Sequence, residues 1–525
     1  MSFLTSLLEH FKMNLNDLDA RRAAGSFDLL TTPYDLPEFQ NVIKRIEEAK
    51  AKKEKTVIYG DYDVDGLTST AILKLALDEF GLNPGYFIPS RYKEGYGLNS
   101  ERVKEFKDKG YQLLITVDNG ISAFEPIKLA KSFGMDVIII DHHEVCEKLP
   151  DTCFIFHQFL SKFINYNCSA ASLAFFVASF LLKRNDDYLA TLAGIAVFSD
   201  VMPLEKNNLN LAKIALKNLN LYRYKNLVSL IGVKDEYEFE DLSFSLIPAL
   251  NAPGRISKET LATIDCCKLL IARNDDKLIA KYAPKILNSN QERKDLVKNV
   301  AFVPQKELTS DHGAVLYTEE YSGLSGLFAN KEMRQRKVPV AVFSPDEKDP
   351  EILNGSLRAL EGYQVDVFLK KNQNLFLSSG GHEKAAGLRI KKKDYFKVAT
   401  LFLSECEKQA LEIKKADEDQ IPIVLEDLNA DNYLTLQEFE PFGEGFPAPI
   451  FALSGAKEDV VFSKNGNAAM IYSKDKSSKV VYFGSIEPFK DSRYHFFTFI
   501  GSFKKETYKN VSSYSLISNE IISEL

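Results

Sequence analysis

The chain has 525 residues, of which 45% are hydrophobic and 26% charged, and its formal net charge is −7. This length exceeds what one hydrophobic core supports and predicts about three to four domains. The net charge excludes a generally basic nucleic-acid-binding protein, although a phosphate-binding surface needs only a local basic patch.

Two features indicate a cytoplasmic protein with no membrane span. The sequence has no run of about 18 uncharged apolar residues, and its first residues lack a basic segment followed by a long apolar stretch. The cysteines show no Cys-x-x-Cys spacing, so we expect reduced thiols and no zinc site. They are Cys146, Cys153, Cys168, Cys266, Cys267 and Cys406.

The first 200 residues alternate strand and helix patterns. Near-continuous apolar runs separated by helices predict a parallel sheet that is covered on both faces. The predicted strands are 56–59, 113–117, 137–140 and 154–156, and the predicted helices are 67–80, 123–133, 169–182 and 187–198. In such sheets ligands bind beyond the carboxyl ends of the strands.

The remainder predicts three further regions. Residues 261–302 read as a charged helical connector that Pro284 breaks or kinks, and residues 308–411 read as a second α/β unit. An acidic stretch from Lys415 to Gln420 marks the next boundary, and the Tyr-, Phe- and Val-rich end of the chain reads as a small all-β module. The predicted domains are 1–54, 55–260, 261–305, 306–414 and 415–525.

The first acidic motif, Asp61-Tyr62-Asp63-Val64-Asp65-Gly66, follows a predicted buried strand. If the loop is extended, its alternate carboxylates point to opposite sides. A solvated Asp-Gly turn is the structural alternative, and a calcium loop lacks its glutamate near 74–77. Carboxylates beside apolar runs are costly to desolvate unless they are paired or bind a cation.

Three later sites repeat this placement. Asp118-Asn119-Gly120 and Asp141-His142-His143 follow the next two long strands, and Asp200 follows an apolar helix. Separately, these could be a turn, a capped turn and a structural helix end. Together, mixed imidazole and carboxylate ligands suit Mn²⁺, Zn²⁺ or Fe²⁺ and could hold two ions about 3.5–4 Å apart for in-line displacement at a phosphate.

Downstream segments supply candidate phosphate contacts. Arg255 follows Pro253-Gly254, and Arg358 follows Gly355-Ser356-Leu357, so we expect both arginines beside loops. The segment Gly380-Gly381-His382 with Ala385-Ala386-Gly387 brings backbone amides and a histidine together. Its structural alternative is a glycine turn entering a small-residue helix.

These motifs together resemble the DHH phosphoesterase superfamily, and specifically the bacterial RecJ single-stranded-DNA exonucleases. The Asp61–Gly66 segment is similar to motif I, Val117–Gly120 to motif II, Asp141–His143 to motif III and Asp200 to the motif IV acid. The Gly-Gly-His segment resembles the DHH-associated domain, and residues 440–449 resemble the segment that leads into the RecJ oligonucleotide-binding (OB) fold.

The sequence departs from the family pattern at a few positions. Tyr59 stands where many members have a histidine ligand, and Phe446 stands where an asparagine is usual. Leu357 and Ala359 flank Arg358 where the family has a small residue and a serine.

The resemblance implies a 5′→3′ exonuclease that degrades single-stranded DNA to nucleoside monophosphates in DNA repair and recombination. It implies a parallel-sheet DHH domain, a helical connector, a second α/β domain and an OB-like barrel. It also implies a monomer, with a helicase and a single-strand-binding protein as possible partners.

The resemblance assigns roles by motif position. Two Mn²⁺ or Mg²⁺ ions would be held by Asp63, Asp65, Asp118, His142 and Asp200, with Asp118 as the bridge. Asp61 and His143 are the catalytic candidates, with Asp61 as a supporting or ligand carboxylate and His143 acting at the scissile phosphate. The DNA-binding candidates are Arg255, Ser356, Arg358, Gly381 and His382.

Two other functions remain open at this stage. A short-oligonucleotide phosphodiesterase of the nanoRNase kind would not need the connector or the β module. A catalytically inactive scaffold would have no reason to keep costly metal ligands.

Overall fold

A computed structural model describes residues 2–524 except 146–147, 153, 164–166, 258–259, 320–321, 361, 413–419, 464, 466–467 and 509–510. The predicted boundary at 415–420 lies outside the described residues except for Gln420, and so do Cys146 and Cys153. The other four cysteines are buried and form no disulfide among the described residues.

The chain divides into two compact units. One comprises residues 1–30, 203–213 and 417–525, and the other comprises residues 31–202 and 214–416. The five predicted domain ranges stay predictions. In the described part of the chain, no helix is both long enough and apolar enough to cross a membrane.

The helices, in chain order, are α1 (Phe3–His10), α2 (Leu15–Ala23), α3 (Pro37–Lys52), α4 (Val64–Phe80), α5 (Ser100–Asp108), α6 (Phe124–Ser132), α7 (Ala170–Leu182), α8 (Asp187–Ser199), α9 (Lys206–Tyr222), α10 (Lys225–Ile231), α11 (Phe239–Asp241), α12 (Ile247–Ile256), α13 (Thr260–Ala272), α14 (Asp276–Lys298), α15 (Ser325–Arg336), α16 (Val365–Lys371), α17 (Tyr395–Glu412), α18 (Ala430–Gln437) and α19 (Glu487–Lys490). A π-helix, Leu242–Leu246, joins α11 to α12.

The larger unit contains a five-stranded sheet in the order β2-β1-β3-β4-β5. Its strands are β1 (Thr56–Tyr59), β2 (Gly85–Phe87), β3 (Leu113–Val117), β4 (Asp136–Asp141) and β5 (Phe154–His157). All pairings are parallel. The predicted buried parallel sheet is therefore confirmed, and three of its strands, β1, β3 and β4, end at the acidic motifs.

The start of α4 corrects the expectation of an extended acidic loop. The helix begins at Val64, because the Asp63 side chain accepts a hydrogen bond from Gly66 N and caps the helix. A Cβ at Gly66 would lie 2.6 Å from the backbone of Asp61, so only glycine lets the helix start against this segment.

The connector is two helices, but its break is not at Pro284. That proline lies inside α14, and the break between the two helices lies at residues 273–275 instead. Asp275 caps the N-terminus of α14, since its side chain accepts hydrogen bonds from the backbone of Lys277 and Leu278.

The second α/β part of the larger unit has a six-stranded sheet in the order β10-β11-β9-β8-β7-β6. Its strands are β6 (Leu308–Ser310), β7 (Gly313–Tyr317), β8 (Val340–Pro345), β9 (Ile352–Arg358), β10 (Ser378–His382) and β11 (Ala385–Lys391). Strand β9 pairs on both sides, with β8 and with β11.

The smaller unit contains a seven-stranded sheet in the order β12-β13-β17-β18-β16-β15-β14. Its strands are β12 (Ile421–Pro422), β13 (Phe451–Ala456), β14 (Val461–Phe462), β15 (Ala469–Tyr472), β16 (Ser478–Tyr482), β17 (Phe496–Tyr508) and β18 (Val511–Glu524). The N-terminal helices share its core, where Phe3 stacks on Phe451 with ring centroids 5.7 Å apart.

The aromatic residues of this sheet serve two purposes. Tyr482, Phe497 and Phe499 fill the core, whereas Phe483 and Phe496 are exposed at 56% and 51%. Tyr482, Phe497 and Phe499 are therefore structural, whereas the rings of Phe483 and Phe496 lie on the surface.

Candidate active site

The carboxyl ends of β1, β3 and β4 bring the acidic motifs together. Asp61, Asp65 and Asp118 are buried, and each lies within a group of three potential metal ligands. Sheet geometry causes this convergence, because parallel strands present their carboxyl ends at one edge.

Asp65 is held by the start of α7. Its two carboxylate oxygens accept hydrogen bonds from Ala170 N at 2.7 Å and Ala171 N at 2.8 Å. The helix N-terminus stabilises the negative charge and fixes the carboxylate plane. Each oxygen keeps a lone pair that could bind a cation.

Asp118 has a left-handed backbone conformation, with φ +61°. Such conformations in non-glycine residues cluster at functional sites, where the surrounding structure enforces them. The neighbouring Asn119 provides this support, because its Nδ2 donates to Val117 O at 2.9 Å and to Gly60 O at 3.1 Å. Motifs I and II are therefore fixed to each other.

His142 lies at the centre of the acidic residues. Its Nε2 is 3.2 Å from Asp118 Oδ1, 3.2 Å from Asp200 Oδ2 and 3.6 Å from Asp65 Oδ2. Burial lowers the pKa of His142, although Asp200 opposes this effect. A neutral imidazole is the form that binds a metal ion.

Asp141 and His143 form a separate hydrogen-bonded pair. Asp141 Oδ1 lies 2.8 Å from His143 Nδ1, and Asp141 also accepts hydrogen bonds from the backbone of Ile121 and His142. Burial lowers the pKa of His143, but the hydrogen bond to Asp141 and nearby carboxylates outweigh it and raise this pKa to about 9. The pKa of Asp141 falls below its usual range, since the bond from His143 and the backbone donors outweigh burial.

The other carboxyl groups of the site have raised pKa values, in contrast to Asp141. Burial, reinforced by neighbouring carboxylates, raises the pKa values of Asp61, Asp65 and Asp118 well above the usual range. Burial also raises the pKa of Asp200. The site is therefore a concentration of negative charge that a cation would relieve.

The donor set fits divalent metal ions. Asp61 Oδ1, Asp118 Oδ1 and His142 Nε2 are buried without a hydrogen-bond partner among the described residues. The ligand atoms form three groups, namely Asp61/Asp63/Asp118, Asp65/His142/Asp200 and Asp118/His142/His143, each within 4.8 Å. Carboxylate and imidazole donors suit Mn²⁺, and a mainly carboxylate set also accepts Mg²⁺.

The segments that precede the two candidate arginines, Pro253-Gly254 and Gly355-Ser356, lie in regular structure and are not loops, which corrects that expectation. Arg255 is in the last turn of α12, and Arg358 is the last residue of β9. Burial lowers the pKa of Arg255 to about 10, and Asp63 opposes this effect while Arg91 and Arg358 reinforce it. The arginines therefore form one positive group beside the carboxylates.

Space for the Arg358 guanidinium comes from Gly326 at the start of α15. A Cβ at Gly326 would lie 2.7 Å from Arg358 Nη2. The guanidinium donates a hydrogen bond to Leu357 O at 2.7 Å. It has no carboxylate within ion-pair distance among the described residues.

The glycine segment is a β-hairpin, so the alternative of a small-residue helix is wrong. Strands β10 and β11 pair across it, with Gly381 opposite Ala386. Gly381 has φ +138°, and a Cβ there would lie 2.4 Å from Ala385 O. Burial raises the pKa of Asp200, and the charge of exposed His382 is one of the effects that oppose this rise.

A cavity of about 880 Å³ runs between the two sheets of the larger unit. Tyr62, Arg91 and Tyr96 line it on one side, and Ser356 and Gly380 line it on the other. Ser356 is the predicted site residue that lines this cavity, whereas the metal-ligand candidates lie together at the strand ends. The roles of the predicted site residues as ligands and DNA contacts stay predictions.

Two cavity residues, Arg91 and Tyr96, have no motif signal in the sequence. The Arg91 guanidinium lies 4.4 Å from the Tyr62 ring centroid, and the Tyr96 ring lies 5.4 Å from that of His143. Exposed aromatic rings beside an arginine can stack on nucleobases. The only available signal was the Tyr/Arg-rich composition of residues 91–96.

Comparisons with known proteins agree with this arrangement. The model of the DHH family, N-terminal domain, matches residues 55–197, and the model of the RecJ OB domain matches residues 420–520. The chain is 31% identical over 447 residues to the single-stranded-DNA-specific exonuclease RecJ of Bacillus subtilis, covering 82% of this chain but 56% of that relative. It is 28% identical over 464 residues to RecJ of Haemophilus influenzae, covering 80% and 78%.

The crystal structure of RecJ in complex with Mn²⁺ from Thermus thermophilus shares the fold. Its TM-score is 0.75 at 21% identity, over 94% of this chain and 72% of that one. The predicted α/β class with a C-terminal OB-like domain is therefore confirmed. The chain spans little more than half the length of the Bacillus relative.

Proposed function

Because the chain belongs to the RecJ family of DHH proteins, we propose that it is a metal-dependent exonuclease that degrades single-stranded DNA to nucleoside monophosphates from the 5′ end. The relatives named above are single-stranded-DNA-specific exonucleases by name. The observation that carries the proposal is the group of buried, unpartnered ligand atoms at the strand ends.

The ligand groups suggest how two ions would be held. Asp61, Asp63 and Asp118 would hold one, and Asp65, His142 and Asp200 would hold the other, with Asp118 shared between them. Bound Mn²⁺ or Mg²⁺ would lower the pKa of a water molecule and stabilise negative charge on the phosphate. Asp61 then acts as a ligand, which fits its unpartnered oxygen.

His143 is positioned to act on the scissile phosphate. Its side chain is 41% exposed, while Asp141 holds the Nδ1 proton. Without bound metal ions, the hydrogen bond to Asp141 and the nearby carboxylates raise the pKa of this ring and favour its charged form. A charged imidazolium beside the scissile group stabilises phosphate charge and supplies a proton to the leaving oxygen.

The arginine group beside the carboxylates would bind the DNA backbone. Arg255 and Arg358 supply the positive charge, and Arg91 extends this group toward Tyr62 at the cavity. Ser356 adds a hydroxyl on the opposite wall, and the hairpin that contains Gly381 and His382 would add a backbone amide and an imidazole beside it. Guanidinium groups and backbone amides are the usual phosphate contacts.

The biological context is proposed from the family. The protein would act in the cytoplasm in DNA repair and recombination, as a monomer that works with a helicase and a single-strand-binding protein. The exposed rings of Phe483 and Phe496 offer stacking surfaces for a DNA strand in the smaller unit.

The decisive experiment follows single-stranded DNA that is labelled at either end or internally, with Mn²⁺ present. We expect mononucleotides to be released first from the 5′ end. Asp118→Ala should abolish this release, whereas Asp108→Asn, which changes an exposed carboxylate of α5, should retain it. Cleavage of dinucleotides alone would indicate an oligonucleotide phosphodiesterase, and cleavage of neither would indicate a scaffold.

A further inference from the structure

A second polar cavity lies among α12, α13 and α14, and none of its lining residues belongs to the site described above. Its volume is about 370 Å³. Lysine side chains dominate its polar lining, so we call it the lysine pocket. It is lined by Pro253, Leu261, Ala262, Asp265, Lys268, Lys281, Tyr282, Lys285, Ile286 and Ser289.

The charges of the lysine pocket do not balance. Asp265 is the carboxylate among its described lining residues, and it pairs with Lys268 at 3.1 Å and with Lys285 at 2.9 Å. Lys281 is exposed and has no ion pair among the described residues. The pocket therefore presents an excess of positive charge to solvent.

One aromatic ring gathers the three lysines. Tyr282 is buried, with 6% of its surface exposed. The ammonium groups of Lys268, Lys281 and Lys285 lie 5.4, 5.2 and 5.8 Å from its ring centroid. The electron-rich ring attracts each cation, and the shared partner Asp265 keeps the Lys268 and Lys285 ammonium groups close to each other.

This arrangement is unfavourable for the helix alone. Lys281 and Lys285 are four residues apart on α14, where like charges repel each other. Asp265 offsets part of the repulsion, and an anion in the pocket would offset the rest.

The remaining lining matches the other parts of a nucleotide. Leu261 is 62% exposed, and with Ala262 and Ile286 it forms an apolar wall. The Ser289 hydroxyl adds a neutral hydrogen-bonding group. Ammonium groups bind phosphate as point charges, and an apolar wall can contact a sugar or base.

We propose that the lysine pocket is a second nucleotide-binding site, in which Lys268, Lys281 and Lys285 bind a phosphate group. The phosphate can belong to a free mononucleotide or to a DNA strand, since both present the same chemistry. The lysine pocket shares no residue with the metal-ligand groups, so nucleotide binding in it can be measured without DNA cleavage.

The test is site-specific lysine labelling of the full-length protein in EDTA. Pyridoxal 5′-phosphate carries both a phosphate and an aldehyde, and the imine that it forms with a lysine is trapped by borohydride. Labelled peptides are identified by mass spectrometry. Pyridoxal, which lacks the phosphate, is the matched reagent, and Lys294 is the internal control because it lies exposed on α14 outside the pocket.

We expect the phosphate-bearing reagent to label the pocket lysines severalfold more than Lys294, and pyridoxal to show no such preference. Protection by thymidine monophosphate would identify a free nucleotide as the source, and protection by oligothymidylate alone would identify a strand. Lys281→Gln should reduce labelling at Lys268 and Lys285, whereas Lys294→Gln should not.

Two results would overturn the proposal. One is equal labelling of Lys294 and the pocket lysines. The other is protection by inorganic phosphate with no additional protection from either nucleotide, which would leave a simple anion site.

Discussion

His142 Nε2 lies 3.2 Å from Asp118 Oδ1, yet neither atom has a hydrogen-bond partner among the described residues. Two buried polar atoms this close would normally share a proton in good geometry. The two atoms are not oriented toward each other, which indicates that both face a common third partner. Asp200 Oδ2, also 3.2 Å from the same nitrogen, completes the arrangement.

Asp118→Asn should have opposite effects on activity and on metal-free stability. Removing the shared ligand should lower nuclease activity by about a hundredfold or more, beyond the usual loss for residues that only support ligands. In EDTA the same variant should melt at a higher temperature, because burial and like charge raise the pKa of Asp118 and oppose its ionisation.

Thermal denaturation with EDTA and with Mn²⁺ checks the stability effect. Mn²⁺ should raise the Tm of the unmodified protein but not that of the variant, since only a bound ion stabilises the folded state. Asp108→Asn provides the control for loss of a surface carboxylate. An Mn²⁺-dependent Tm increase in Asp118→Asn would contradict the shared-ligand assignment.

Asp141→Asn tests whether Asp141 acts through His143. We expect kcat to fall by about 10²–10⁴, because the imidazolium loses the partner that fixes its Nδ1 proton. KM should change little, and Mn²⁺ affinity should fall less than in Asp118→Asn, since Asp141 contacts His142 and His143 but is itself in none of the ligand groups. Steady-state kinetics and Mn²⁺ titration measure the two effects, and an unchanged kcat would refute the role.

Arg358→Ala should weaken the binding of single-stranded DNA and reduce its salt dependence. Loss of one phosphate contact should reduce the slope of log K against log salt by about 0.7. Metal content should not change. Arg334→Ala is the matched control, because Arg334 is exposed on α15 in the same part of the chain. Equal slopes for the two variants would exclude Arg358 as a phosphate contact.

The sequence predicted the acidic half of the site because the information is local. Apolar runs identify buried parallel strands, and sheet geometry then places Asp61, Asp118 and Asp141 at one edge. Arg91 could not be found in this way. It follows the three-residue strand β2, which is too short to show a pattern, and only the tertiary fold brings it to the cavity.

The segments before the candidate arginines show where turn-forming residues in the sequence give a wrong prediction. Pro253-Gly254 and Gly355-Ser356 favour turns, but both lie in regular elements. Gly355 is accepted in β9 because that strand pairs on both sides, and this pairing outweighs the weak strand propensity of glycine. Likewise, the pattern of α1 does not reveal that it packs on the C-terminal sheet.

Phe446→Asn should destabilise the smaller unit. The Phe446 ring lies 4.3 Å from that of Phe11 and 3.7 Å from the Arg21 guanidinium. Losing these contacts should cost about 1–2.5 kcal/mol. Phe483→Asn is the control, because Phe483 is exposed in the same unit and its loss should cost less than about 0.5 kcal/mol. Urea denaturation measures both, and equal midpoints would contradict the prediction.

The titration of Lys213 should make the free energy of unfolding of the smaller unit vary with pH in the alkaline range. Burial and the nearby charge of Arg21 lower its pKa from 10.5 to about 8, although Glu440 opposes this effect. Between these values the unfolded chain holds a proton that the folded chain has released, so this group's contribution to stability rises as the pH increases. Lys213→Met removes the titrating group. The free energy of unfolding of the unmodified protein should therefore increase relative to that of the variant from pH about 8 to about 10. If the two free energies of unfolding instead change in parallel with pH, Lys213 keeps its ordinary pKa.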